Sequence, residues 1–151
     1  MKALYWVIFL LLGNVLFSSV FLTKRLPVVF PFAYGGNAEI RTLIVEEAKR
    51  WGVSTHLALA LAKVESNYDP KAKNPKSSAL GVYQWLIGSW SALCEGERAD
   101  PTANTRCALK TISRGGLAHW LADPSVLPKL REEQVSDEVI NLYLPKQLAL
   151  K

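Results

Sequence analysis

Only two cysteines, two histidines and one methionine occur among the 151 residues, and each scarcity removes a class of chemistry. Cys94 and Cys107 form no CxxC pair, so a structural zinc site has no ligand set. His56 and His119 lack the HExxH spacing of a metalloprotease. A lone histidine of this kind is more often structural than catalytic. GxSxG, P-loop and GxGxxG patterns are also missing, which removes the serine-hydrolase elbow and the nucleotide-binding loops. Neither a metal nor another cofactor is expected.

Acidic side chains are absent from the first 36 residues, while three of the 18 Lys and Arg (Lys2, Lys24 and Arg25) fall there. The rest of the chain carries 13 acids against the remaining basic residues, a net charge of only +2. That is too small a basic field for nucleic acid. No run alternates with a period of two, no repeat recurs and no low-complexity tract is present.

The apolar content is concentrated at the start. Ala3 to Leu22 contains no charged residue, and a helix of 20 residues reaches about 30 Å, the thickness of a bilayer core. Residues 1–36 are therefore expected to be a signal peptide or membrane anchor with its linker, and residues 37–151 a single domain beyond the membrane. Cleavage is undecided, since no clean A-x-A stands among Ala33 to Ala38. In an exported domain Cys94 and Cys107 are expected to pair as a disulfide, with two buried thiols as the alternative.

From Asn37 onward the pattern is helical. Ile40, Leu43, Ile44, Ala48 and Trp51 recur at helical spacing against a charged face, and Gly52 stops the run. Ser54 or Thr55 can cap a second helix from His56 to about Asn67, apolar nearly all round and hence buried. The spacing predicts further helices over Ser89–Leu93, Asn104–Ser113 and Ser136–Leu150, the last interrupted by Pro145.

Glu65 is the most informative residue. It is a lone carboxylate at the end of the apolar helix, followed by Ser66-Asn67-Tyr68. Apolar surroundings disfavour the charged carboxylate and suit a general acid near neutral pH, although an ordinary exposed glutamate at a helix end would read the same way. Glycoside hydrolysis normally needs two carboxylates. Asp69 follows at i+4 but past the break at Pro70, and neither Asp100 nor Asp123 is placed by sequence.

At these residues the chain resembles the catalytic domain of the lytic transglycosylases, bacterial enzymes of lysozyme-like fold that cleave peptidoglycan strands. Ala58 to Pro70, with Glu65-Ser66 inside it, is similar to the family's first motif. Ser77-Ser78-Ala79 and Gly81-Val82-Tyr83-Gln84 resemble the small-residue run and the Gly-Leu-Met-Gln motif. Asp100-Pro101-Thr102-Ala103-Asn104 resembles the family's Asp-Pro…Asn segment, which Cys94 and Cys107 bracket. Val139 to Lys146 is similar to the closing stretch, with Val139 where a glutamate is common. The middle Ala-Tyr-Asn motif is not visible, and Ala118-His119-Trp120 lies in the comparable region.

The resemblance implies a mainly α, lysozyme-like domain. It implies Glu65 as the catalytic acid and base, with Ser66, Tyr83, Gln84 and Tyr143 as substrate-binding residues. The implied reaction cleaves between N-acetylmuramic acid and N-acetylglucosamine with formation of 1,6-anhydro ends. A hydrolytic muramidase and a noncatalytic peptidoglycan-binding protein are the alternatives. The expected partners are glycan strands, a membrane through the N-terminal segment, and a secretion or conjugation apparatus of the bacterial envelope.

Overall fold

A computed structural model describes residues 37–150, and the expected signal peptide or anchor over residues 1–36 lies outside them. Among the described residues no helix is long and apolar enough to cross a membrane. Helix α1 spans Asn37–Trp51 and buries Ile40, Leu43, Ile44 and Ala48. The chain reverses at Gly52, whose φ of 65° is the left-handed conformation that glycine adopts without strain.

Helix α2 spans Thr55–Ser66. Its N-cap is Ser54, whose hydroxyl accepts from the Leu57 N–H at 3.3 Å. Leu57, Ala58, Ala60, Leu61 and Ala62 are buried, as expected of a helix apolar nearly all round. The helix ends at Asn67, which takes a left-handed φ of 52°. Asparagine tolerates this conformation better than other side chains.

Helix α3 (Ile87–Leu93) leads to α4 (Pro101–Ile112). Helix α4 begins three residues before the expected start. Asp100 caps it through both carboxylate oxygens, which accept from Thr102 N at 3.1 Å and Ala103 N at 3.2 Å, and Pro101 occupies the first turn, where no N–H is required. Two short helices follow, α5 (Ala118–Leu121) and α6 (Val126–Glu132). Four and seven residues are too few to display a 3.6-residue repeat, so neither is announced by periodicity.

The closing segment also differs from expectation. Helix α7 covers only Asp137–Asn141, capped by Ser136, and after a turn the chain forms a single 3-10 turn over Lys146–Leu148. Pro145 lacks the N–H and clashes with the preceding turn, so the helix ends upstream of it. The described residues contain isolated bridges, Lys73 with Leu80 and Leu80 with Trp85, but no named strand. The domain is mainly helical.

Helix α1 packs on α2 and α4, and α2 packs in turn on α6, which places α2 at the centre. Cys94 and Cys107 form a disulfide with Cα atoms 5.6 Å apart, joining the end of α3 to α4. Closing a loop of this size contributes about 3 kcal/mol in the chain-entropy model. Replacing both cysteines with serine is expected to lower unfolding stability by about 2–3 kcal/mol. Chemical denaturation under oxidising conditions checks this, and an unchanged midpoint would show that the bridge contributes nothing.

Candidate active site

The segment from Ala79 to Trp85 turns back on itself beside the end of α2. Leu80 and Trp85 exchange backbone hydrogen bonds of 3.1 and 3.2 Å, and Gly81 N donates to Ala72 O at 2.9 Å. Gly81 has a φ of 82° and lies against the Asn104 side chain so closely that a Cβ would collide with it. Only glycine meets both conditions.

Asn104 is fully buried at the start of α4. Its Oδ1 accepts from Tyr83 N at 3.0 Å, while its Nδ2 donates to Leu80 O at 3.1 Å and Arg98 O at 2.9 Å. A second fastener is Ser66, whose hydroxyl lies 2.8 Å from Val82 O and so ties the last turn of α2 to the same segment. Trp120 completes the frame from α5 by donating its indole N–H to Tyr83 O at 2.9 Å. Its ring meets Trp85 edge to face, with centroids 5.0 Å apart.

Against this frame opens a cavity of about 330 Å³, and Glu65 is one wall of it. Val64, Ala79, Trp85, Trp120 and Val126 supply apolar surface there, and Gln84, Asn74, Ser77, Ser89 and Ser125 supply polar groups. His119, Asp123 and Lys129 are the other titratable residues that line it. Burial pushes the Glu65 carboxyl from 4.5 up to about 7; the negative charge of Asp123 adds to the rise, and Lys129 opposes it. A carboxyl half protonated near neutral pH can both give and take a proton there.

The residues expected to bind substrate are placed in different ways. Gln84 lines the cavity. Its Nε2 is spent on Gly81 O at 2.9 Å and Ala72 O at 3.1 Å, so the amide oxygen is the group it offers to the opening. Tyr83 does not line the groove as expected. It is fully buried and donates its hydroxyl to Ala58 O at 2.9 Å in the middle of α2. The turn that carries Gln84 at a φ of 48° sends these neighbours to opposite sides.

Tyr143 also lies outside the cavity lining. Its hydroxyl accepts from Ser54 N at 2.7 Å and so fixes the start of α2 rather than a sugar. Ser66 acts through the Val82 carbonyl and not on the Glu65 carboxyl. His119, expected to be structural, is an exposed member of the cavity wall and packs edge to face with Trp120 at 6.3 Å. Asp123 and Lys129 are not marked as site residues by the sequence, because they follow a four-residue helix and sit on a seven-residue one. Among the described residues no cluster of three His, Cys, Asp or Glu side chains could hold a metal.

Residues 42–115 match the family model of the transglycosylase SLT domain. The chain is 33% identical over 76 residues to a probable transglycosylase SceD of Staphylococcus epidermidis, a match that covers 46% of this chain and 34% of that protein. It is 32% identical over 82 residues to a probable transglycosylase SceD 3 of Staphylococcus saprophyticus, covering 50% of this chain and 34% of the relative. The chain thus spans about a third of the length of the curated relatives it matches. No solved structure matches it at a comparable significance. The matched span holds Glu65, Ser66, Gly81, Gln84 and Asn104, and the chain carries a domain of the lytic transglycosylase type.

Proposed function

We propose that this chain is a peptidoglycan lytic transglycosylase of lysozyme-like fold in which Glu65 is the catalytic acid and base. The observation that carries the reading is a single glutamate at the end of a buried helix, held near a pKa of 7 in a cavity of about 330 Å³ walled by aromatic and amide groups. Such walls suit a sugar, whose apolar face stacks on aromatic rings while amides meet its hydroxyls.

In this reading Glu65 protonates the oxygen between N-acetylmuramic acid and N-acetylglucosamine. The C1–O bond breaks and the acetamido carbonyl oxygen of the muramic acid bonds to C1. Glu65, now a carboxylate, takes the proton of the C6 hydroxyl as that oxygen attacks C1 and releases the acetamido group. The product is a 1,6-anhydro end, and no water is consumed. Gln84 lies where it can bind the glycan, and Ser66, Tyr83 and Tyr143 hold the site in shape from behind.

A cell-wall substrate places the domain in the bacterial envelope or outside the cell. The apolar stretch Ala3–Leu22 would serve as export signal or anchor. The test is mass spectrometry of fragments released from purified peptidoglycan. Anhydro-muramic ends are expected, and hydrated reducing ends would instead assign a hydrolytic muramidase.

A further inference from the structure

Three other carboxylates were candidates for a second acidic group, and the structure separates them. Asp69 accepts from Lys71 N at 2.8 Å on an exposed loop, and Asp100 is committed to capping α4. Neither borders the cavity, whereas Asp123 does so together with Glu65. They approach from unrelated elements, Glu65 from the last turn of α2 and Asp123 from the turn that follows α5.

That turn fixes the Asp123 side chain. Ser125 N donates to its Oδ1 at 2.8 Å and the Ser125 side chain adds a second hydrogen bond, which still leaves carboxylate lone pairs to accept from a ligand in the cavity. The same hydrogen bonding holds the Asp123 carboxyl below its ordinary value while burial raises that of Glu65. Two carboxyls in one cavity are thereby driven apart, one kept as an acid and the other as an anion, a pattern that marks divided roles. Lys129 from α6 and His119 from α5 are the other titratable groups facing the space.

We propose that the Asp123 carboxylate accepts a hydrogen bond from the substrate's acetamido N–H and opposes the positive charge that grows on the sugar as the glycosidic bond breaks. This rests on the transglycosylase reading of Glu65. When the acetamido oxygen bonds to C1, positive charge spreads over the new five-membered ring and its N–H becomes a stronger donor. Asp123 meets that charge without changing protonation, since both proton transfers involve Glu65, which gives one proton to the leaving oxygen and takes another from the C6 hydroxyl. Asp123 is exposed on the cavity rim, and an anion fixed beside developing positive charge stabilises the transition state more than the ground state.

The test compares the full-length protein with its Asp123→Asn variant on purified peptidoglycan, following kcat and KM against pH and product ends by mass spectrometry. Asparagine keeps an oxygen for the Ser125 N–H, so the turn and the melting temperature are expected to persist. At acidic pH, where Glu65 is protonated in both proteins, kcat is expected to fall about tenfold to a hundredfold. KM should stay within about twofold and the ends should remain anhydro. The alkaline limb should move to lower pH, because removing the anion lowers the proton affinity of Glu65.

A shifted limb with an unchanged plateau would overturn the proposal by showing that Asp123 acts only on the Glu65 proton. An unchanged profile alongside normal anhydro production would also overturn it and leave the transglycosylase reading intact. Hydrated ends from the unmodified protein, lost in the variant, would make Asp123 a base acting on water and would remove both readings.

Discussion

Glu65→Gln is expected to reduce glycan cleavage by at least about a thousandfold, and to make the domain more stable at alkaline pH. The first effect follows from chemistry, since an amide cannot donate a proton to the glycosidic oxygen or accept one from the C6 hydroxyl. The second follows from linkage. The Glu65 carboxyl is raised from 4.5 to about 7 by burial, with the charge of Asp123 adding to it. Between those pH values the folded protein holds a proton that the unfolded chain has lost, so stability falls as pH rises through the interval. Below about 4.5 both states are protonated and the cost vanishes; above about 7 it is fully present.

A tenfold difference in proton affinity between the folded and unfolded chain corresponds to about 1.4 kcal/mol. After allowance for the side chain's partial exposure, the cost at pH 8 is about 2 kcal/mol. Glutamine removes that cost at nearly the same volume. The variant should therefore melt several degrees higher than the unmodified protein at pH 8 and at almost the same temperature at pH 4. Cleavage by the unmodified protein should decline above about pH 7 for the same reason, as the acid form is lost. Retained cleavage in the variant would sink the assignment of Glu65. Equal melting at both pH values would show that its carboxyl is not buried as described.

The ease with which Glu65 is found in the sequence has a physical basis. Its helix is apolar nearly all round and must be buried, so a carboxylate at its end is conspicuous. Gly81 and Asn104 are legible through family resemblance, and the structure supplies the reason in a backbone that approaches the Asn104 amide too closely for any Cβ. The short elements are another matter. Asp123 and Lys129 reach the cavity only because the turn after α5 and helix α6 fold over α2, and local spacing carries no record of that packing. Tyr83 and Tyr143 show the converse. Both are aromatic residues with polar tips in segments similar to family motifs, yet their hydroxyls are satisfied by Ala58 O and Ser54 N at the framework of α2. Which way a tyrosine faces depends on the turn that carries it, and a positive φ at Gln84 is not apparent from the letter Q.

Asn104→Ala is expected to be the most damaging single change to the frame of the site. The side chain is wholly buried and makes three hydrogen bonds to backbone groups, one from Tyr83 N and two to the carbonyls of Leu80 and Arg98. Truncation leaves the Tyr83 N–H without its acceptor in a buried position, a loss of about 1–3 kcal/mol, and strands the two carbonyls at further cost. A total of about 3–4 kcal/mol is expected, a large share of the stability of a domain this size. Aspartate, though nearly isosteric, should not rescue the fold. It still accepts from Tyr83 N but turns an oxygen toward the carbonyls of Leu80 and Arg98, where a donor is required. Cleavage should fall along with stability, since the segment that Asn104 fastens carries Gln84 and accepts the Ser66 hydroxyl at Val82 O. Denaturant titration of both variants checks the expectation. A midpoint close to that of the unmodified protein in Asn104→Ala would mean that the segment is held by the Leu80–Trp85 pairing and the Trp120 indole without it.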